Sequence, residues 1–301
     1  MKNNFRTRSA FSLIEISIVI LIIGILIAGV TQSSRLVAKS RFSNARTLTQ
    51  SSPIASIKNV VLWIETTSES SVVDSETENG SGVTNLYDLN PQTSIKANFT
   101  QATLANKPTY TTSSTGTINS LPTLTFNGSS TNMASANFNN LTTAASVFMV
   151  VKTPASLAAG VILGKRTAAT AAQVNFEVKN LTNGWQFCDV LAGAESCYSS
   201  TASALVINTA YVVSIVYTAS ASTAGVSFWQ NGSASGVTAA TGAPSGAVTD
   251  PLYLGQSGLS ATQAYFTGSI GEIIIFDRAV KNEERDAIEA YLGQKWGVTV
   301  L

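Results

Sequence analysis

An apolar run near the N-terminus constrains this chain more than any other feature. Residues 11–30 read FSLIEISIVILIIGILIAGV, about the length of helix that crosses a bilayer, and Glu15 is the one charged residue in the run. An ionised carboxylate in hydrocarbon is costly unless it finds a partner, so it is by default a functional group. We therefore predict a membrane-embedded helix in which Glu15 holds subunits together.

A short basic leader precedes this run. Residues 1–10, MKNNFRTRSA, contain three basic residues and no acidic one, and end in Ala10. Followed by FSLIE, this leader resembles that of type IV pilins and of type II secretion pseudopilins, in which a small residue, usually Gly, precedes Phe-Thr/Ser-Leu-Ile-Glu. The resemblance implies that a prepilin peptidase cuts between Ala10 and Phe11 and methylates the new amino group of Phe11. The apolar run would then stay as an anchor, whereas an ordinary signal peptide is discarded.

The same resemblance implies a partner for Glu15, namely the α-amino group of Phe11 in a neighbouring subunit. The alternative is a plain membrane anchor in which Glu15 reaches the interface or stays protonated. Many pilins place Pro at position 32, but this chain has Gln32, so no kink is predicted there. Helical periodicity continues until Pro53, which predicts a helix over 11–50, about 60 Å long.

The composition beyond this helix is typical of an exported β-rich domain. Only 12% of the 301 residues are charged, against about 25% in average soluble domains, and uncharged polar residues are abundant. From residue 51 onward there are 11 basic and 16 acidic side chains, with no clustered basic face, so nucleic acid is not an expected partner. The chain has no histidine, which excludes a catalytic Cys-His pair.

The two cysteines, Cys188 and Cys197, lie in a stretch that reads strand, turn, strand. An exported domain meets an oxidising environment, so we predict a disulfide across a hairpin. A metal pair is disfavoured, because zinc sites usually need four ligands.

After residue 53 the sequence changes to short runs of Val, Ile, Thr and aromatic residues separated by turn residues, a pattern typical of a β-sandwich. The predicted strands are 60–64, 123–126, 146–152, 161–164, 174–179, 185–190, 211–217, 226–230, 252–255 and 268–276. An amphipathic helix over 281–295, with acidic residues at its start, is predicted to cap one edge of the sandwich.

Several motifs in this body resemble the laminin G-like, concanavalin A-like jelly roll. They are VLW at 61–63, KPTY at 107–110, LPTLTFNG at 121–128, NG at 231–232, LG at 254–255 and FTGSIGEIIIFDRA at 266–279. The resemblance implies three segments: a leader over 1–10, a transmembrane and stem helix over 11–52, and a β-sandwich domain over 53–301.

One string has the spacing of a glycosidase motif. Glu284, Asp286 and Glu289 follow the pattern Glu-x-Asp-x-x-Glu, which works on a strand because alternate residues share a face there. The segment has helical periodicity, so we interpret these acids as a solvated face. No enzymatic activity is predicted.

Ligand candidates are scattered through the body. Calcium needs about six oxygen ligands, and Asp88, Asp189, Asp250 and Asp277 form no spaced cluster, so it is only a weak candidate cofactor. A glycan site would use exposed aromatic and asparagine side chains. The candidates are Trp185, Trp229, Tyr265, Asn127, Asn132, Asn137, Asn139 and Asn140. The alternative is that the tryptophans pack the core and the asparagines form turns.

These features predict a structural, minor subunit of a type IV pilus or pseudopilus that displays a laminin G-like domain for adhesion. Its expected partners are the prepilin peptidase, other pilin subunits, the inner membrane before assembly, and a glycan or protein ligand. The alternatives are a membrane-tethered carbohydrate-binding or hydrolytic module and a type II secretion pseudopilin. The sequence does not separate a pilus from a pseudopilus.

Overall fold

A computed structural model describes residues 12–113, 115–141, 144–167, 174–191, 194–201, 204–218, 225–238, 248–258 and 265–301. Its first element, helix α1, runs unbroken over Leu13–Gln50. Ser12 caps the N-terminus: its Oγ accepts a hydrogen bond from the Ile14 amide. A 3₁₀ turn at Pro53–Ser56 follows the helix, since Pro lacks the amide that would continue it. The predicted helix is thus confirmed within two residues at its start.

Seventeen strands and a second helix follow in the described part of the chain. The strands are β1 (Val60–Glu65), β2 (Asn85–Leu86), β3 (Phe99–Thr100), β4 (Thr109–Thr111), β5 (Thr123–Asn127), β6 (Met133–Ser135), β7 (Ala144–Lys152), β8 (Gly160–Arg166), β9 (Val174–Leu181), β10 (Gly184–Leu191), β11 (Ala194–Ser200), β12 (Ala210–Thr218), β13 (Gly225–Gln230), β14 (Ser233–Ser235), β15 (Val237–Thr238), β16 (Leu252–Leu254) and β17 (Thr267–Phe276). Helix α2 spans Asn282–Trp296, and further 3₁₀ turns lie at Asp74–Glu76 and Leu104–Asn106.

The strands form two antiparallel sheets packed as a jelly-roll sandwich. The first sheet has the order β14-β13-β12-β7-β17-β5-β4, and β1 also pairs with β17. The second has the order β15-β11-β10-β9-β8-β16-β6-β3-β2. The predicted fold class, a long N-terminal helix followed by a concanavalin A-like sandwich with a short C-terminal helix, is confirmed.

The central strands of the first sheet are buried on both faces. In β7, Val147, Met149 and Val151 face the core between the sheets, while Phe148 and Val150 face a second core on the outer side. Alternate residues of a strand point to opposite faces, so a strand with two covered faces reads as a continuous apolar run. The same alternation continues in β17.

The outer core is covered by both helices. Ala45 of α1 packs there with Ile288, Leu292 and Trp296 of α2. The prediction that α2 caps an edge of the sandwich is wrong, because the helix lies on the face of the first sheet. Its apolar stripe is buried only against a broad surface, and β7, β12 and β17 provide that surface. It ends at Gly297, whose φ of +65° is a left-handed conformation that favours glycine.

The predicted disulfide is confirmed. Cys188 and Cys197 are directly opposite each other on β10 and β11, with an S–S distance of 2.07 Å and 4.1 Å between their Cα atoms.

Candidate functional site

The N-terminal part of α1 is an exposed apolar surface. Residues Leu13–Val30 have a mean hydropathy of 2.9, and none of this segment is buried in the chain. Ile14, Leu21 and Val30 are 66%, 63% and 70% exposed. By length and composition the segment is able to cross a membrane. Its exposed surface needs lipid or other apolar helices around it, since water is a poor solvent for it.

Glu15 lies in the first turn of this segment. Its Oε2 accepts a hydrogen bond from the Ser12 amide at 2.9 Å, completing a capping box. Within one chain the carboxylate therefore stabilises the start of its own helix. Ala10 and Phe11, the predicted cleavage and methylation residues, lie outside the described residues.

Where α1 meets the sandwich, the structure contains a buried polar cluster that the sequence analysis missed. We call it the junction cluster. Its members are Thr49, Trp63, Glu65, Glu272, Tyr291, Lys295 and Trp296. Lys295 is central: its Nζ lies 2.7 Å from Thr49 Oγ1, 3.1 Å from Glu65 Oε2 and 2.8 Å from Glu272 Oε2. These contacts tie α1, β1, β17 and α2 to one ammonium group.

The side chains of Lys295, Glu65 and Glu272 are all fully buried. Glu272 also accepts hydrogen bonds from the indole groups of Trp63 and Trp296, at 2.8 and 2.9 Å, and from the Tyr291 hydroxyl at 2.8 Å. Burial raises the pKa of Tyr291 well above its usual value, and the nearby charges of Glu272 and Glu65 raise it further. Breaking a buried network of this kind by removing one partner is strongly destabilising.

A signal for this cluster exists in the sequence. Glu272 interrupts the apolar run of β17, and Glu65 follows directly on the apolar residues of β1. A carboxylate on an otherwise apolar strand needs a buried partner. The identity of that partner, Lys295, could not be read from the sequence, because it lies 230 residues from Glu65.

A surface pocket of about 430 Å³ has four asparagines in its lining, and we call it the asparagine pocket. Its lining includes Asn137, Asn139 and Asn140 beside the apolar side chains of Ile95 and Phe138. Val60, Val61, Asn90, Thr93, Ala97, Ala136, Leu141 and Asp277 complete it. Asn137 and Asn139 are exposed, and Ile95 is 70% exposed. Three asparagines predicted as glycan candidates are thus brought together.

The predicted tryptophan candidates lie elsewhere. Trp185 is 1% exposed: it packs against Tyr211 in the core, and its indole nitrogen donates to Gln230 Oε1 at 2.8 Å. It is therefore a core residue, and its prediction as a ligand contact is wrong. Trp229 is partly buried beneath Arg285, with 4.2 Å from Cζ to the ring centroid. Tyr265 forms an isolated bridge with Val161 and does not line the asparagine pocket.

Asn127 and Asn132 are used to build a turn. Asn127 Oδ1 accepts hydrogen bonds from the amides of Ser129, Ser130 and Thr131. Asn132 is 8% exposed, and its side chain donates to the Ser130 carbonyl. The structure therefore favours the turn-forming alternative over a ligand contact for these two residues, since their amide groups are engaged within the loop.

The aspartates predicted as calcium candidates do not converge. Asp88 accepts hydrogen bonds from three backbone amides, those of Trp63, Asn90 and Ala97. Asp189 is buried and accepts from the Tyr217 hydroxyl, while Asp277 lies at the asparagine pocket and Asp250 does not. In the described ranges, no group of three or more Cys, Asp or Glu residues could hold a metal ion.

The acidic string on α2 has structural roles. Glu284 forms a two-point pair with Arg278 at 2.7 and 2.8 Å, and this hydrogen bonding lowers its pKa to about 2. Glu289 is 2% exposed, so the predicted solvated face is wrong at this residue: the helix packs it beside Ser214, and burial raises its pKa.

Comparison with known proteins bears on the sandwich. A laminin G-type family model, described as the concanavalin A-like lectin/glucanases superfamily, matches residues 125–284, more than half of the chain. The chain therefore belongs to this superfamily, and the predicted resemblance of its body is confirmed. The match does not include the N-terminal helix. No curated protein matches the sequence significantly.

Solved structures share only the general fold. A Trypanosoma rangeli sialidase is 13% identical with a TM-score of 0.48, over 88% of this chain and 38% of the sialidase. The binding domain of botulinum neurotoxin serotype C1 is 9% identical with a TM-score of 0.47, over 78% and 52%. A Ruminococcus gnavus sialidase module, CBM40, bound to α2,3-sialyllactose is 16% identical with a TM-score of 0.39, over 53% and 84%. The chain spans less than two thirds of the first two structures, and likenesses this weak do not bear on function.

Proposed function

We propose that this protein is a membrane-tethered carbohydrate-binding protein whose anchor helix also assembles with other subunits as pilin helices do. The observation that carries the proposal is the continuity of α1. One unbroken helix is apolar and exposed over Leu13–Val30 and packed into the sandwich near Ala45. A sandwich attached in this way is held outside the membrane on a short helical stem of about 15 Å, since about ten residues at about 1.5 Å each separate Val30 from the first contacts with the sandwich at Arg41 and Phe42.

Carbohydrate binding is the part that the superfamily supports, because its description includes lectins. The asparagine pocket supplies side-chain amide groups for sugar hydroxyls and exposed apolar surface from Ile95 for the face of a sugar ring. Among the described residues that line it, Asp277 alone carries a charge. A negative charge repels anionic sugars, so the proposed ligand is a neutral glycan.

A glycan array, probed with the full chain in detergent, tests the proposed carbohydrate binding. Neutral glycans should bind, and sialylated ones should not. Asn139→Ala should weaken binding about fivefold to tenfold, the effect of losing about one hydrogen bond. Asn44→Ala is the matched control, because Asn44 is an exposed asparagine on α1 outside this pocket. Equal loss in both variants, or no neutral glycan bound, would remove the proposal.

Assembly through Glu15 is the second candidate function, and the resemblance of residues 1–15 to prepilins favours it. A carboxylate in an exposed apolar helix has a strong electrostatic reason to pair with a cation in a neighbouring chain. The methylated amine of Phe11 is the proposed cation, in a minor subunit of a pilus or pseudopilus.

Two measurements test assembly. The mass of the N-terminal peptide from cells should correspond to a chain that begins at Phe11 with one added methyl group. Glu15→Ala should abolish incorporation into filaments, whereas Ser17→Ala, a polar deletion in the same segment, should not. Normal incorporation of the Glu15→Ala chain into filaments would contradict the assembly role of Glu15. Membrane tethering would then be the only proposed role of the helix.

A further inference from the structure

The junction cluster places an amine against a carboxylate in a fully buried site. Lys295 Nζ is 3.1 Å from Glu65 Oε2, and both side chains are fully buried. Holding two reacting groups in contact removes most of the entropic barrier to a bond between them. Trp63 and Trp296, which both donate to Glu272, add indole rings at this site.

The two oxygens of Glu65 are in different situations. Oε2 accepts hydrogen bonds from the amide and hydroxyl of Thr67, at 2.5 and 2.7 Å, as well as from Lys295. Oε1 is buried and has no hydrogen-bond partner among the residues that the structure describes. A buried oxygen without a hydrogen-bond partner raises the free energy of the folded chain, so loss of this oxygen would lower that free energy. The geometry thus distinguishes an oxygen that stays from one that leaves.

Glu272 is held differently, because both of its oxygens are fully engaged. Oε1 accepts from the Trp63 indole and the Tyr291 hydroxyl, and Oε2 accepts from the Trp296 indole and from Lys295 Nζ at 2.8 Å. This carboxylate touches the reacting nitrogen and is fixed in place. Its direct contact with Nζ through Oε2 places it to take the two protons that the nitrogen loses, one after the other, and to pass them to Oε1 of Glu65, which leaves as water.

We propose that Lys295 and Glu65 form an intramolecular amide bond, with Glu272 as the proton carrier. Nζ bonds to Cδ of Glu65, and the Cδ–Oε1 bond breaks. The ammonium and the carboxylate together become one amide and one water molecule, so no oxidant, reductant or other reactant is needed. Oε2 becomes the amide oxygen and keeps its hydrogen bonds from Thr67, and the amide N–H donates to Glu272. The reaction removes one pair of buried charges, whose desolvation is otherwise costly.

The bond would join the first strand of the sandwich to its last helix, across 230 residues. The disulfide, in contrast, joins cysteines only nine residues apart. The amide would therefore keep β1 attached to α2 even when the rest of the domain is pulled or unfolded.

Peptide mapping of the full chain, reduced and denatured, tests the proposal. Trypsin should release one species that joins peptide 59–96 to peptide 286–301, lighter by one water than their sum. Cleavage after Lys295 should be lost, because a lysine in an amide is not a trypsin site. Separate peptides 59–96, 286–295 and 296–301 at full mass would overturn the proposal in the unmodified protein, without any variant.

Variants then test the assigned roles. Lys295→Arg keeps the charge but has no amine that forms this bond, so it should give separate peptides. Glu272→Gln should also give separate peptides although both bonding residues are present, and full cross-linking in that variant would overturn the role of Glu272. Lys281→Arg, at an exposed lysine before α2, should leave the cross-link unchanged.

Discussion

The two ends of helix α1 have the same backbone structure and opposite surroundings. Over Leu13–Val30 no side chain is buried in the chain, whereas near the C-terminus Ala45 is 1% exposed and Thr49 is 8% exposed. The first end is not covered by any part of the chain that the structure describes, so its apolar surface suits a membrane or the helices of other subunits. The second end is fixed by the outer core and the junction cluster. The difference separates, along one helix, an exposed apolar end, which is the end proposed to contact a membrane or other subunits, from an end that is packed within its own chain.

The largest expected effect comes from removing the Lys295 side-chain nitrogen, whether it is an ammonium group or the proposed amide. Lys295→Met leaves Glu65 and Glu272 as buried carboxylates without that nitrogen, so the free energy of unfolding should fall by at least about 3–5 kcal/mol. Denaturant unfolding of the full chain in detergent measures this. Lys281→Met is the control and should change stability by less than about 0.5 kcal/mol, because that lysine is exposed. Similar values for both variants would mean that the cluster does not fix the helix.

A smaller effect is expected from one substitution made at both ends. Ala45→Leu forces extra methylenes into the outer core and should destabilise the chain by about 1–3 kcal/mol. Ala28→Leu places the same side chain on the exposed end, where it has room, and should leave the unfolding midpoint of the sandwich unchanged. A midpoint shift from Ala28→Leu would contradict the separation of the two ends.

Much of this architecture could be predicted from sequence because it depends on local periodicity. The apolar run and Pro53 predicted α1 closely, and continuous apolar runs predicted central strands such as β7 and β17. Strands β2 and β3 have two residues each and are set by pairing partners, so no periodic signal marks them. The position of α2 also escaped prediction, since an apolar stripe indicates that a helix is covered but not which surface covers it.

The site was predicted only where residue type alone decides the chemistry. The two cysteines belong to that class, and their disulfide is confirmed, whereas the role of Glu15 in assembly stays a prediction. Trp185 was left between two alternatives because an indole suits both a core and a sugar site, and its 1% exposure decides for the core. The junction cluster escaped because its members come from four elements, and a contact between residues 65 and 295 leaves no local pattern.

The stability that α2 gives to the second end of α1 should decrease at acidic pH. The pKa of Glu284 is about 2 in the folded chain, lowered from 4.5 mainly by its hydrogen bonds to Arg278. A lowered folded pKa gives stability that is present above pH 4.5 and is lost as pH falls from 4.5 towards 2. Glu284→Gln should lower the free energy of unfolding at pH 7 by about 1 kcal/mol, a modest value because the Arg278–Glu284 pair is partly exposed. The variant should also show a flatter dependence of the free energy of unfolding on pH between 4.5 and 2. Glu283→Gln, at an exposed neighbour, should keep the wild-type profile, and a flattened one there would contradict the assignment.

The smallest expected effect is at the first end of α1. It tests whether Gly24 packs against neighbouring helices. Nothing lies within 4 Å of a methyl group added at Gly24, so Gly24→Ala should stabilise the helix by about 1 kcal/mol in micelles, as the entropy of glycine predicts. Amide hydrogen exchange around residue 24 measures the local stability of the helix. Ala28→Gly should change this stability by a similar amount in the opposite direction. If the first end packs against neighbouring helices, the added methyl group meets the next subunit, and filament incorporation should fall although the helix itself is more stable. Unchanged incorporation would mean that the face containing Gly24 contacts lipid and that the intermolecular contact lies elsewhere on this end of α1.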